Sequence, residues 1–120
     1  MAGVLRANPG AKTRVFVIWE PVLTTDWGTP SQSITANVPD LRAAHFWDPA
    51  RRLSAAYGDA PRLDRLAAIR HVGFRMKDVV WDVALVYPPG ARWGSPAELL
   101  VAPVVQYRER LGEAIARLSR

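Results

Sequence analysis

The chain reads as an α/β domain, a small mixed sheet with helices packed on it, and three stretches of its 120 residues predict this. The first is Asp78 to Trp93, DVVWDVALVYPPGARW, a long apolar run closed by a Pro-Pro-Gly turn. Val79, Trp81, Val83, Leu85 and Tyr87 fall on one side of a strand and Val80, Ala84 and Val86 on the other; only Asp82 breaks the pattern. A strand apolar on both faces belongs in the middle of a sheet flanked by helices. The second is Arg14 to Glu20, RVFVIWE, with Val15, Val17 and Trp19 alternating with Phe16 and Ile18. It too is expected to be buried on both faces, and Pro21 ends it by removing a ladder donor. The third is helical: Tyr107, Leu111, Ala114, Ile115 and Leu118 recur at i, i+4, i+7, i+8 and i+11, with Glu113 four residues before Arg117.

Composition narrows the class. Hydrophobic residues make up 49% and charged residues 22%, the balance of a globular chain, and the length suits one domain with a real core. No apolar run approaches the ~20 residues that cross a bilayer. The opening MAGVLRANPG has no charged start followed by an apolar core, so a cytoplasmic location is expected for the chain as it stands. There is no cysteine, which excludes disulfides, thiolate nucleophiles and thiolate metal sites within these residues. The net charge of +5 comes mostly from arginines, scattered as Arg51-Arg52, Arg62, Arg65, Arg70, Arg75 and Arg108-Arg110. With no long run among them, a solvated surface explains them better than a nucleic-acid face.

In chain order, residues 1–13 form a lead-in that stops at Asn8-Pro9-Gly10, consistent with the tail of a helix. The domain proper spans 14–120. After a loop from Val22 to Gly28, Thr29, Pro30 and Gln32 supply an N-cap, a first-turn proline and a capping-box partner, predicting a short helix over Pro30 to about Val38. Ala43 to Trp47 reads as a third strand. Asp48-Pro49 then caps a helix that carries Leu53, Ala56 and Tyr57 on one face and closes at Gly58. A weaker helical stripe follows through Leu63, Leu66, Ala67 and Ile69, and a short strand is expected at Pro103 to Gln106.

The run FWDPARRLSAAYG, followed after a helical insert by VVWDVALVYPPGARW, resembles the second half of thioredoxin-like and peroxiredoxin-like domains. VFVIWEPVLTTDW is similar to an uncharacterised bacterial branch of that family rich in tryptophan-acid pairs, and the resemblance spans Val15 to Trp93. Two departures stand out. The family's cis-proline position matches Trp81, and its first strand and first-helix start, where redox cysteines sit, have no counterpart. Met1 to Ala7 would fall near the end of that helix, so redox activity carries over to no residue. The resemblance implies an incomplete thioredoxin-like sheet, in which the neighbours of the missing strand are left with unpaired edges. Either the sheet closes up, or a second copy or partner supplies a strand, or the chain is a truncated form of a longer protein; the last is the favoured expectation.

Four tryptophans adjoin an acid: Trp19-Glu20, Asp26-Trp27, Trp47-Asp48 and Trp81-Asp82. A thioredoxin-like layout would bring them together at one rim of the sheet, where α/β folds bind ligands and where aromatic walls with carboxylates suit a cation or polar organic ligand. A structural reading stands beside this: Asp48 as a helix cap, Glu20 and Asp26 as loop residues, the tryptophans as fillers. Asp82 is harder to dismiss, because a carboxylate within an apolar strand must find a donor or shift its pKa. His45 and His71 lack ligand spacing, no serine sits in a nucleophile turn, and no glycine motif cradles phosphate; no metal and no cofactor is expected. The reading is a non-catalytic thioredoxin-like module, or a shortened redox protein, acting through ligand or protein contact, with self-association through strand edges included. The alternatives are a thiol-disulfide or peroxide enzyme whose cysteines lie upstream of Met1, and weak nucleic-acid binding through arginines.

Overall fold

The structure, a computed structural model, describes residues 1–23, 25–26, 28–58, 75–76, 79–80 and 82–119. Its elements are α1 (Ala2–Ala7), β1 (Val15–Trp19), α2 (Gln32–Thr35), β2 (Ala43–Trp47), α3 (Arg52–Gly58), β3 (Arg75–Met76), β4 (Val79–Val80), β5 (Ala84–Val86), β6 (Leu99–Val101) and a C-terminal helix α4 (Arg108–Leu118). The architecture is mixed α/β, with one parallel and two antiparallel strand pairs. β1 and β2 run parallel, from Val15 opposite Ala43 to Trp19 opposite Trp47. β5 and β6 run antiparallel, with Leu85 opposite Leu100, and β3 and β4 form a third, minimal pair.

The core lies on one side of β1–β2. Val15, Val17 and Ala43 pack against a buried cluster of Val4 and Leu5 from α1, Leu111 and Ile115 from α4, Val38, Ala84 and Val101. This follows from sequence: α1 contributes its adjacent Val4 and Leu5, α4 the stripe predicted for it, and the strands every second residue. Leu5 is fully buried and Leu111 nearly so.

The Arg42 side chain fastens α1 to the start of β2. The Arg42 guanidinium donates to the carbonyl oxygens of Leu5 at 2.8 Å, Asn8 at 2.7 Å and Ala11 at 3.3 Å, and to both carboxylate oxygens of Asp40. The Leu5 carbonyl already accepts the Asn8 amide at 3.1 Å as α1 ends, and the arginine adds a charged donor to it and reaches the carbonyls that follow the helix. The guanidinium hydrogen-bonds the Asp40 carboxyl and holds it down to about 2, and the carboxylate in turn raises the Arg42 pKa.

Several expectations are corrected. The long central strand is not continuous: Asp82 takes a left-handed conformation, φ 51°, between β4 and β5, and is exposed. Aspartate is among the few residues that tolerate this region, and the bend carries the carboxylate to solvent instead of into a core. β1 is not buried on both faces, since Phe16 is 63% exposed. The helix expected from Pro30 is a single turn starting after Ser31; Thr35 Oγ1 bonds back to the carbonyls of Ser31 and Gln32, the competition with backbone that makes Ser/Thr-rich segments poor helices. α3 begins at Arg52, not Pro49, because Arg51 sits at φ 53° and breaks the first turn. The last strand is Leu99–Val101, before Pro103 rather than after it, as the missing proline donor favours. The stripe at Leu63 to Ile69 and His71 lie outside the described residues.

Candidate functional site

Parallel pairing with Trp19 opposite Trp47 brings the first and third tryptophan-acid pairs to the same end of β1–β2. The Asp48 amide donates to the Trp19 carbonyl at 2.9 Å, continuing the ladder past both tryptophans. Trp19 Nε1 donates to His45 Nδ1 at 3.1 Å and the two rings stack with planes 11° apart. With Nδ1 accepting, the His45 proton sits on Nε2, which faces the Val38 carbonyl at 3.3 Å. The histidine is thus a core linker between β1 and the end of the α2 segment.

The carboxylates at this end are spent on backbone and hydroxyl donors. Glu20 accepts from the Ser54 amide at 3.0 Å and from the Ser54 hydroxyl, and Ser54 is almost fully buried. Asp48 accepts from the Leu53 amide at 2.9 Å, which supports the start of α3 from outside the helix. Asp26 closes its own loop, accepting from the Val22 and Leu23 amides. Asp82 is placed elsewhere, its carbonyl receiving the Val104 amide. Among the described residues no hydrogen bond or ion pair joins Asp26 or Asp82 to the Glu20–Asp48 end, and no three acids or histidines are grouped to hold a metal ion. Trp27 and Trp81 lie outside the described residues.

Two features here were not read from sequence. Beside the Trp47–Asp48 end lies a groove of about 450 Å³ between β1–β2 and α3, lined by Ile18, Phe46, Leu53, Ala56 and Trp93. Trp93 is 79% exposed and meets Tyr57 edge-on, while the Tyr57 and Tyr87 hydroxyls share a 2.7 Å hydrogen bond that ties α3 to the end of β5. The second feature is the open side of β1–β2, where Phe16, Ala44 and Phe46 are exposed and the two phenylalanine rings lie 6.1 Å apart. The alternation of RVFVIWE and AAHFW contains this face, since opposite register positions must share a side. Its exposure depends on what covers it, which periodicity does not report.

The free edge of β1 completes the site. The Val15 amide donates to the Arg42 carbonyl and the Trp19 carbonyl accepts from Asp48, so the odd-numbered residues of β1 bond β2. In a parallel ladder the intervening residues point their backbone groups the other way. The amides and carbonyls of Phe16 and Ile18 therefore face away from β2, and among the described residues no strand pairs with them. No family model, curated protein or solved structure matches the chain.

Proposed function

We propose that the chain is a non-catalytic, thioredoxin-like module that works by contact, receiving an extended segment along the β1 edge. The observation that carries this is the pairing of an edge with no strand partner among the described residues with an exposed aromatic face: Phe16 and Ile18 turn two amides and two carbonyls away from β2, and Phe16 and Phe46 lie beside them exposed. Strand addition uses this combination, backbone hydrogen bonds for affinity and alternate side chains for selection. The spent carboxylates argue for contact rather than acid-base work at the tryptophan-acid end, and thiol-disulfide or thiol-based peroxide chemistry needs a cysteine that these residues do not contain.

Short capped peptides of alternating valine and threonine test the reading when titrated against labelled protein. The Phe16 and Ile18 amide resonances should shift and gain protection from exchange, while those of Val15 and Val17, already bonded to β2, change little. Shifts confined to other parts of the chain, or none at all, overturn it.

A further inference from the structure

Resting on that reading, we infer that the segment received along β1 is β1 of a second copy, paired antiparallel about a two-fold axis through Val17. The register follows from which backbone groups are free. Only Phe16 and Ile18 turn theirs outward within β1, and an antiparallel pair closes when opposed residues exchange both bonds. Setting Phe16 against Ile18 of the second copy, and Ile18 against its Phe16, satisfies every outward group of both strands with one symmetric operation. A one-residue slip leaves these groups mismatched and turns each apolar set to the wrong face. A parallel arrangement of two β1 strands would be head-to-tail and would not close.

Side chains agree with that register. Directly opposed residues share a face, so the exposed Phe16 of each copy lies over Ile18 of the other, and the Phe46 residues extend the same strip outward across a four-stranded sheet. At its ends the pairing sets Arg14 against Glu20 of the second copy, twice. Arg14 is exposed and forms no ion pair among the described residues, and Glu20, though bonded to Ser54, meets no cation there. The charges flanking β1 are therefore complementary to themselves when the strand is reversed.

The lack of cysteine makes a clean test, because any thiol introduced is the only one. In the proposed register Val17 opposes its own copy at a Cα separation of about 4.5 Å, within disulfide reach. Val15 and its copy are offset by four positions, roughly 13 Å, beyond it. Mild oxidation of Val17→Cys should give a concentration-dependent covalent dimer, and Val15→Cys only background. Adding Arg14→Glu should slow the Val17→Cys reaction by about fivefold at low salt. Should Val17→Cys not fold, Phe16→Cys mixed with Ile18→Cys reads the same register from the exposed face, and the mixture should crosslink faster than either alone.

Equal crosslinking at Val15 and Val17 overturns the inference, as does a dimer by mass in which neither thiol reacts. A monomer at every concentration whose Phe16 and Ile18 amides still respond to the valine-threonine peptides overturns the second copy but keeps the β1 edge as a docking site. A monomer with no such response removes both.

Discussion

The two faces of β1–β2 come from the same ten residues, yet they have opposite fates. On one, Val15, Val17 and Ala43 meet α1 and α4, and the contact is sealed by the Arg42 clasp. On the other, Phe16, Ala44 and Phe46 are exposed, and α3 borders this side across the groove that Ile18 and Phe46 line. Burial of an apolar side chain is worth roughly 1.5–3 kcal/mol, so the first face holds the fold together and the second leaves that free energy available for something outside it. On the proposed reading, stability and recognition are thereby separated onto alternate residues of a single strand.

The separation breaks most visibly at Leu5. Its truncation, Leu5→Ala, opens a cavity beneath the core face and should cost about 2–5 kcal/mol in denaturant unfolding. An effect near zero would mean that α1 does not hold the core face closed. Next in size is the clasp. The Asp40 carboxyl falls from the ordinary 3.8 to about 2 on folding, so it contributes stability that is complete above about pH 4 and disappears as pH falls toward 2. Melting temperature followed across that window should drop in the wild type more steeply than in Arg42→Met, whose Asp40 has lost its partner. Parallel slopes would remove the clasp from the account. The smallest effect belongs to the open face: Phe16→Thr should leave stability within about 0.5 kcal/mol while abolishing peptide response at β1. A large loss of stability would show that this face is covered after all.

What the sequence made legible was periodicity. β1, β2 and α4 fall close to their expected places because alternation and the i, i+4 stripe survive into the fold. The long run through Asp82 misled for a physical reason: alternation counts apolar residues but cannot sense that an aspartate turns left-handed to avoid burial. The capping role of Asp48 was visible in the Asp-Pro step, although the helix it serves starts later than expected. At the candidate site, convergence of the tryptophan-acid pairs was expected from the thioredoxin-like resemblance, and the parallel register brings Trp19-Glu20 and Trp47-Asp48 to the same end. The destination of each carboxylate was not, since Ser54 lies 34 residues from Glu20 and nothing local links them. In sequence Arg42 is one arginine among many; its one local signal is Asp40 two residues earlier, which accepts both its amide and its guanidinium.

That guanidinium addresses main-chain oxygens of three residues, none through its side chain. The opening segment can therefore vary at its solvent-facing positions without loosening its anchor, whereas the anchor itself tolerates no conservative exchange. Lysine would keep the charge, but a single ammonium has three donors on one atom and cannot span carbonyls spread from Leu5 to Ala11 while gripping a carboxylate with both arms of a fork. In this protein the attachment of the first helix is written at a position more than thirty residues downstream of it.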